Sequence, residues 1–392
     1  ECWKHKILEG TKKQFGILKK LMRDSKVDEV ICATDAGREG ELIFRLVYEQ
    51  AECQKPMKRL WISSMEEQAI KDGFASLKDG SCYDSLYQSA LCRAKADWLV
   101  GINASRLFSV LYNQNLKVGR VQTPTLAMIV DRNQKIKEFT KEKYYMAHIK
   151  FDDMDAVTEH FQKKEDADRV AADCMERMCE VEKDDVKEKT VRPPKLYDLT
   201  TLQREANRMF GYTAQQTLDA VQEMYEQKLV TYPRTDSQYV TEDMKETVKM
   251  LAESMTDFLP FLESGQIRGN IDRVVNNAKV SDHHAILPTK EAMEKGMGGL
   301  SGGKKNLLML IGQQLVQATG EEYLYEQTEI SVQCKEHEFT AKGKLPVQMG
   351  FKEVEEAFRK YCVKDKKSDE PDHKTELPEG YEEGMTLASV KA

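Results

Sequence analysis

None of the nine cysteines (Cys2, Cys32, Cys53, Cys82, Cys92, Cys174, Cys179, Cys334 and Cys362) stands in a C-x-x-C pair. A zinc ribbon is thereby excluded, and no disulfide framework is indicated. Scattered thiols fit a reducing, cytoplasmic compartment. The chain also lacks any uninterrupted apolar run approaching the ~18 residues of a membrane span. The stretch Leu307-Leu308-Met309-Leu310-Ile311 stops at Gly312-Gln313-Gln314 and reads as a core helix. No G-x-G-x-x-G is present, which removes the dinucleotide fingerprint, and no G-x-x-x-x-G-K-[ST], which removes the P-loop. Positive charge is scarce overall: 59 Lys and Arg against 66 Asp and Glu leave a net charge of −7. Taken alone, that number argues against a nucleic-acid partner.

The charge is unevenly spread, however. The N-terminal segment and the clusters near Lys117 and Arg132 are basic, whereas the tail after Lys367 is acidic. A narrow basic groove can hold DNA in an acidic protein, because only local phosphate neutralisation matters. The 392 residues are enough for about two to four domains. A composition of 40% hydrophobic and 32% charged residues suits a soluble globular protein. The chain opens at Glu1, not Met, inside what reads as a helix. It is therefore expected to be a fragment, and an upstream targeting peptide is left open.

Periodicity divides the chain. Residues 1–80 read as α/β: a helix, a short β-branched strand over 27–34, a helix over 42–48, and a strand-like Lys58-Arg59-Leu60-Trp61-Ile62-Ser63. Cys32, inside the first strand, reads as a small buried hydrophobe. Residues 82–138 read as helical, with Leu86, Ala90, Trp98 and Ile102 on roughly helical spacing and Trp98 expected in the core. Over 143–192 the period shortens: Tyr145, Ala147, Ile149 and Phe151 alternate, and further strands are expected around Phe161 and Val181. Arg192-Pro193-Pro194 marks a boundary. A helix over about 201–210 stops at Gly211, and Thr213-x-x-Gln216 is a capping box for the next, which ends near Gln227. Residues 293–305 read as a flexible glycine-rich loop. Ile330, Val332 and Cys334 alternate, as do Phe339 and Ala341, which predicts a hairpin returning to the sheet begun near Tyr145.

Four segments carry chemistry. In Tyr232-Pro233-Arg234-Thr235-Asp236-Ser237 the proline disfavours the α region for the tyrosine, so Tyr232 is expected extended with its phenol projecting from a strand end. Arg234, two residues on, can hold a phosphate with its planar fork. A phenol beside a phosphate clamp suggests covalent attack on a phosphodiester; an ordinary strand-to-turn junction has the same pattern. The strand over 27–34 runs into Asp35-Ala36-Gly37-Arg38-Glu39-Gly40-Glu41. Carboxylates there sit where open α/β sheets bind ligands. Asp35 and Glu39 could supply oxygens to Mg²⁺, or simply favour a helix N-terminus. Lys117-Val118-Gly119-Arg120-Val121-Gln122-Thr123-Pro124 is a loop feeding a helix, with Thr123 at the N-cap and Pro124 at the first helical position. Its helix start and Arg120 form a candidate phosphate site. Ser281-Asp282-His283-His284 places paired histidines in a loop, with no third ligand at metal spacing.

In this order the four segments resemble the type IA DNA topoisomerases, over nearly the whole chain. Asp35-x-x-x-Glu39 looks like that family's Toprim metal motif, and Gly119-Arg120-Val121-Gln122 like its DNA-contacting loop. Tyr232-Pro-Arg-Thr-Asp-Ser looks like its nucleophile motif, and His283-His284-Ala-Ile-x-Pro-Thr like its histidine motif. The proline after the tyrosine and the double histidine favour the bacterial topoisomerase III branch. The resemblance implies a multidomain α/β, α and β fold, a toroidal core. Its parts would be a partial Toprim domain (1–80), a helical domain (81–140), a β-rich arch (141–194) and a winged-helix-like domain carrying the tyrosine (195–320). The chain would then return to the arch (321–348) and to the helical domain (349–392).

The resemblance further implies that Tyr232 attacks phosphorus to give a 5′-phosphotyrosine, that Arg234 stabilises the phosphate, and that His283 supports the site with Asp236 as a partner. Asp35 and Glu39 would hold Mg²⁺, Glu39 also serving as a catalytic group. Lys117, Val118, Gly119, Arg120, Val121 and Gln122, with Arg93, Asp97, Arg106 and Arg234, would contact DNA, mainly single-stranded regions. Arg93 and Asp97, at i and i+4, read equally as a surface salt bridge. Neither ATP nor a membrane is implied, because the phosphotyrosine conserves the bond energy; a monomer in the bacterial cytoplasm, associated with nucleoid or plasmid, is expected. Two departures matter. The family's second metal aspartate is Gly37 here, leaving a ligand absent or supplied otherwise, with Glu41 one candidate. The family's first strand, with a glutamate and a lysine, should precede residue 1, so the chain is expected to cleave or religate poorly. A catalytically inactive single-stranded-DNA-binding remnant is the alternative; a Toprim primase or nuclease does not fit the downstream motifs.

Overall fold

In the computed structural model, which describes residues 3–62, 67–151, 154–262, 269–362 and 384–389, the chain divides into two units. The first comprises Glu1–Phe139, Leu196–Lys249 and Val274–Ala292; the second comprises Thr140–Lys195, Met250–Arg273 and Met293–Ala392. Cys2, Ser63 and the acidic stretch after Lys367 lie outside the described residues.

The first unit opens with α1 (Lys12–Arg23), β1 (Val30–Cys32), α2 (Arg38–Gln50), β2 (Met57–Arg59), α3 (Glu67–Ala75) and β3 (Lys78–Asp79). β1 pairs parallel with β2 (Ile31 opposite Lys58), and β3 runs antiparallel to β2. The parallel pair needs a crossover, and α2 supplies it. Next come α4 (Asp84–Tyr112) and α5 (Gln122–Lys137). Leu42 and Leu46, one turn apart on α2, pack on Tyr87, Ala90 and Leu91 of α4. That contact sets the end of α2 that follows the acidic loop against α4. Asn113 ends α4 in the left-handed conformation at φ 48°.

In the second unit, β4 (His148–Lys150) and β5 (Asp155–Val157) precede α6 (Lys164–Cys174) and the long β6 (Met178–Val191). α6 was not expected from the sequence, although Ala167, Val170 and Cys174 bury one face at helical spacing. Phe161 forms only an isolated bridge to Tyr145, not a strand. The first unit resumes with α7 (Leu199–Phe210), which Gly211 ends at φ 71°, and α8 (Ala214–Glu226), opened by the Thr213–Gln216 capping box. α9 (Lys245–Phe258) and α10 (Lys290–Lys295) follow, each with residues in both units, and α11 (Gly302–Thr319) belongs to the second unit. α11 begins inside the expected glycine-rich loop and runs past Gly312, where Met255 and Leu259 pack so closely that a Cβ would meet sulfur at 2.9 Å. Glycine is retained there for close approach, not as a stop.

β7 (Tyr323–Cys334) and β8 (His337–Gln348) form the expected hairpin. α12 (Phe351–Cys362) and β9 (Thr386–Ala388) complete the described chain. The sheet order is β4-β5-β8-β7-β6-β9, antiparallel throughout. Ile149, Ala156, Val181, Val332, Phe339 and Ala341 line its buried face. The sequence reading sends residues 349–392 to the helical domain. Instead α12 packs on α11, and β9 adds to the edge of β6 through Cys179 opposite Leu387.

Candidate active site

The site lies within the first unit and begins at the end of β1. Arg59, wholly buried on β2, donates to the carbonyls of Cys32 (3.0 Å), Thr34 (2.7 Å), Asp35 (2.5 Å) and Leu60 (2.9 Å). Its charge is balanced by the equally buried Glu41, 3.0 Å away on α2. Glu41 also pairs with Arg45 at 2.8 Å, which in turn holds Asp84 at 2.8 Å. These bonds fix the turn carrying Asp35 while leaving its carboxylate exposed. Gly40 lies directly under that turn: a Cβ there would collide with the Asp35 carbonyl, so no larger residue fits. Glu41 turns one oxygen to the half-buried Arg45 and the other to the buried Arg59, which removes it as a substitute metal ligand.

Tyr232 follows a single bridge between Val230 and Pro288, shorter than the expected strand. Around it the tyrosine and histidine segments are laced together. Thr231 N–H donates to the Leu287 carbonyl (2.9 Å), Thr289 N–H to Leu229 (3.1 Å), and the Thr235 hydroxyl to the His283 carbonyl (3.0 Å). Ser237 anchors the next turn by donating to the Lys279 carbonyl at 2.8 Å. The result places the phenol ring 4.4 Å from the His283 ring and edge-on to Tyr225 at 5.3 Å. His283 Nε2 in turn lies 3.5 Å from Asp35 Oδ2. Asp236, expected to partner His283, instead accepts from the Ser281 hydroxyl at 3.0 Å. His284 turns inward, its Nδ1 2.8 Å from the Ala285 carbonyl, and burial pushes its pKa down.

The electrostatics follow from this crowding. Burial raises the Tyr232 phenol above its ordinary pKa, and the nearby Asp35 charge raises it further; the exposed Arg234 opposes both. At neutral pH the phenol keeps its proton, so nucleophilic attack requires a proton acceptor. The Asp282 carboxyl is also raised, first by burial and then by Asp236 and Asp35, with His283 and Arg38 opposing.

The other expected residues extend from this point. Glu39, in the first turn of α2, accepts from Arg93 of α4 at 2.8 Å. Arg93 reaches Asp97 only at 4.0 Å, and Asp97 instead accepts from Arg120 Nε at 2.9 and 3.2 Å. A polar chain therefore runs Glu39–Arg93–Asp97–Arg120. Lys117, Arg120, Val121 and Gln122 are exposed; Val118 and Gly119 are half-buried. Ser105 pins the loop through the Val118 N–H at 2.9 Å. Arg106 is exposed on α4, apart from these bonds. α5 starts at Gln122 after Val121, earlier than expected, because the Thr123 hydroxyl accepts from Gly119 N–H (3.1 Å) from within the first turn. Trp98 is 57% exposed and packs edge-on against Trp3 at 5.2 Å, so it is not core.

Among the described residues, no three His, Cys, Asp or Glu side chains form a ready cage for a metal ion. Mg²⁺ does not need one, since it binds through one or two carboxylates plus water and phosphate oxygens. Exposed Asp35 and Glu39 at the strand end fit that donor chemistry. Sequence reasoning missed Arg59, Tyr225 and Asp282. The signals were a basic residue inside a strand, an aromatic seven residues before Tyr232, and a carboxylate preceding the histidine pair.

Residues 81–392 match the pattern of a family described as DNA topoisomerase, and residues 4–65 match the Toprim domain. The chain is 37% identical to DNA topoisomerase 3 of Staphylococcus haemolyticus, over 98% of this chain and 56% of that protein. It is 38% identical to DNA topoisomerase 3 of Bacillus subtilis, over 97% and 53%. The chain thus spans about half the length of these curated relatives. Among solved structures, full-length topoisomerase I from Thermotoga maritima superposes with a TM-score of 0.72 at 23% identity, covering 98% of this chain and 62% of that one. No helix among the described residues is long and apolar enough to cross a membrane. With the acidic, tyrosine and histidine segments meeting inside a matched Toprim and topoisomerase framework, this chain belongs to the type IA DNA topoisomerases, on the topoisomerase III branch.

Proposed function

We propose that the chain is the cutting and resealing part of an ATP-independent topoisomerase III. It would open one DNA strand through a 5′-phosphotyrosine, pass a strand and religate, relaxing negatively supercoiled or decatenating DNA. The observation that carries this reading is the convergence of Tyr232, His283 and Asp35, from three separate segments, within direct reach of one another. In the cutting step a bond forms between Tyr232 Oη and phosphorus, and the bond from phosphorus to the 3′ oxygen breaks. The phenol proton passes to the His283–Asp35 pair, the departing 3′ oxygen takes a proton from water to become a hydroxyl, and the pair returns its proton to the solvent. Arg234 stabilises charge on the phosphate. Reversal of the same step reseals the strand, so no nucleotide is consumed. Asp35 and Glu39 would hold Mg²⁺, whose charge positions the phosphate for religation.

The polar chain from Glu39 to Arg120 supports a single-stranded DNA track along α4 and its loop, using Arg93, Asp97, Arg106 and residues 117–122. Exposed Trp98 and Tyr112 offer stacking surfaces. We assign residues 1–80 to Toprim, 81–140 to the helical domain, the β4–β9 sheet to the arch, and the α7–α8 segment with Tyr232 to a winged-helix-like domain. A monomer acting on nucleoid or plasmid DNA in a reducing cytoplasm fits the eight described cysteines, all free thiols.

The test is a denaturing-gel cleavage assay with Mg²⁺ and a single-stranded oligonucleotide labelled at its 3′ end. A labelled, protein-linked product is expected, absent in Tyr232→Phe. Tight DNA binding by both proteins without any product would refute the catalytic reading.

A further inference from the structure

The side-chain space of residue 37 is already occupied. A Cβ built on Gly37 would lie no more than 2.5 Å from each of the three carboxylate atoms of Asp282. Gly37 itself has extended backbone (φ −163°), which any residue can adopt, so conformation does not explain the glycine. Contact with Asp282 does. The Asp282 carboxylate is thereby delivered from the histidine loop to the acidic turn between Asp35 and Glu39. It has no hydrogen bond or ion pair among the described residues, unlike Glu41, Glu39 and Asp236 nearby. His283 and Arg38 partly offset the neighbouring Asp236 and Asp35 charges, but neither bonds Asp282, and a half-buried carboxylate beside other carboxylates is stabilised when a cation binds it directly.

We infer that Asp282 replaces the side chain absent at Gly37 and acts with Asp35 and Glu39 as a ligand for the divalent cation of the acidic turn. This rests on the proposed metal-dependent reading. It deepens that reading by making the metal site composite, with one carboxylate from the loop that also carries His283. Metal binding would then tie the histidine loop to the Toprim turn. Among the described residues the three carboxylates do not already form a cage; Arg93 holds Glu39 through Oε1 alone, and cation binding would draw the three together.

The test uses Mn²⁺ as probe. Free Mn²⁺ is titrated by electron paramagnetic resonance against the 392-residue chain, its Asp35→Asn, Asp282→Asn and Gly37→Asp variants, and the double variant Gly37→Asp/Asp282→Ala. Asp282→Asn is expected to weaken Mn²⁺ binding by at least about tenfold, as loss of a ligand should. Gly37→Asp alone should not tighten binding, because its Cβ meets Asp282. The double variant should return affinity to within about threefold of the parent. Restoration by this swap also answers any objection that Asp282→Asn merely disturbs folding. If Asp35→Asn loses Mn²⁺ while Asp282→Asn and the parent bind alike, the inference is overturned and the metal reading stands. If the swap fails to restore binding in a protein with parental near-ultraviolet dichroism, the inference is likewise overturned. If the parent binds no Mn²⁺, the metal reading falls and the inference with it; cleavage by Tyr232 is scored separately by the gel assay.

Discussion

Replacing Glu41 with Gln should loosen the turn that carries Asp35, though neither residue touches the other. Arg59 and Glu41 are both fully buried and 3.0 Å apart, and Arg59 uses its remaining donors on four carbonyls, including that of Asp35. The neutral amide leaves the guanidinium charge uncompensated away from water. Breaking a buried pair in this way costs about 3–5 kcal/mol. Every ~1.4 kcal/mol is a tenfold change in an equilibrium, so local opening should rise by roughly a hundredfold or more. A chain of two units need not unfold in one step, which makes amide hydrogen exchange the suitable assay. Exchange is read at residues 32–35 under conditions where it reports opening free energy. The control is Glu67→Gln, which makes the same charge change in an ion pair whose partners are 65% and 84% exposed. Such a pair contributes about 0–1 kcal/mol. Acceleration below about tenfold in Glu41→Gln, comparable to the control, would refute the claim that this buried pair holds the acidic turn.

Two further outcomes follow from the same geometry. Burial depresses the His284 pKa below its ordinary value of 6.5, so the unfolded chain binds the proton more tightly. Its contribution to stability is complete above about pH 6.5 and is lost as pH falls through the depressed folded value. Urea midpoints from pH 8 to pH 5 should therefore decline more steeply in the parent than in His284→Gln, and parallel profiles would contradict the assignment. Asp97→Ala removes the carboxylate that occupies Arg120. Exposed pairs of this type are worth about 0.2–1 kcal/mol, so single-stranded DNA should bind up to roughly fivefold tighter by fluorescence anisotropy; weaker binding would show that Asp97 contacts DNA itself.

What was legible in the sequence depended on how local its cause is. The Thr213–Gln216 box and the Gly211 stop act within one turn of chain, and both lie where the residue types place them. The start of α5 was misplaced because the Thr123 hydroxyl, read as a cap, is engaged by Gly119 behind it. α6 escaped notice because its three buried positions sit among charged residues that mask the period. The four motifs were each visible, but their meeting was not. Asp236 looked like the partner of His283 by proximity in the motif, whereas Asp35, from a distant segment, lies nearest. Asp282 was passed over for the same reason: its significance comes from Gly37, far away in the chain.

The net charge shows why composition is a poor guide to the proposed nucleic-acid site. Two arginines of the proposed DNA track have an acidic companion from another segment: Arg93 has Glu39, and Arg120 has Asp97. Summed over the sequence, such pairs cancel and leave only the excess of acid elsewhere. In space they are exchangeable, because these carboxylates are 61% and 39% exposed and their bonds contribute little in water. A phosphate arriving with its own negative charge can take over the guanidinium, and the released carboxylate returns to solvent. The same pairs that erase the basic signature from the composition hold Arg93 and Arg120 in place along α4 and its loop. Reading charge by partner instead of by sum therefore leaves the proposed DNA track compatible with the total of −7.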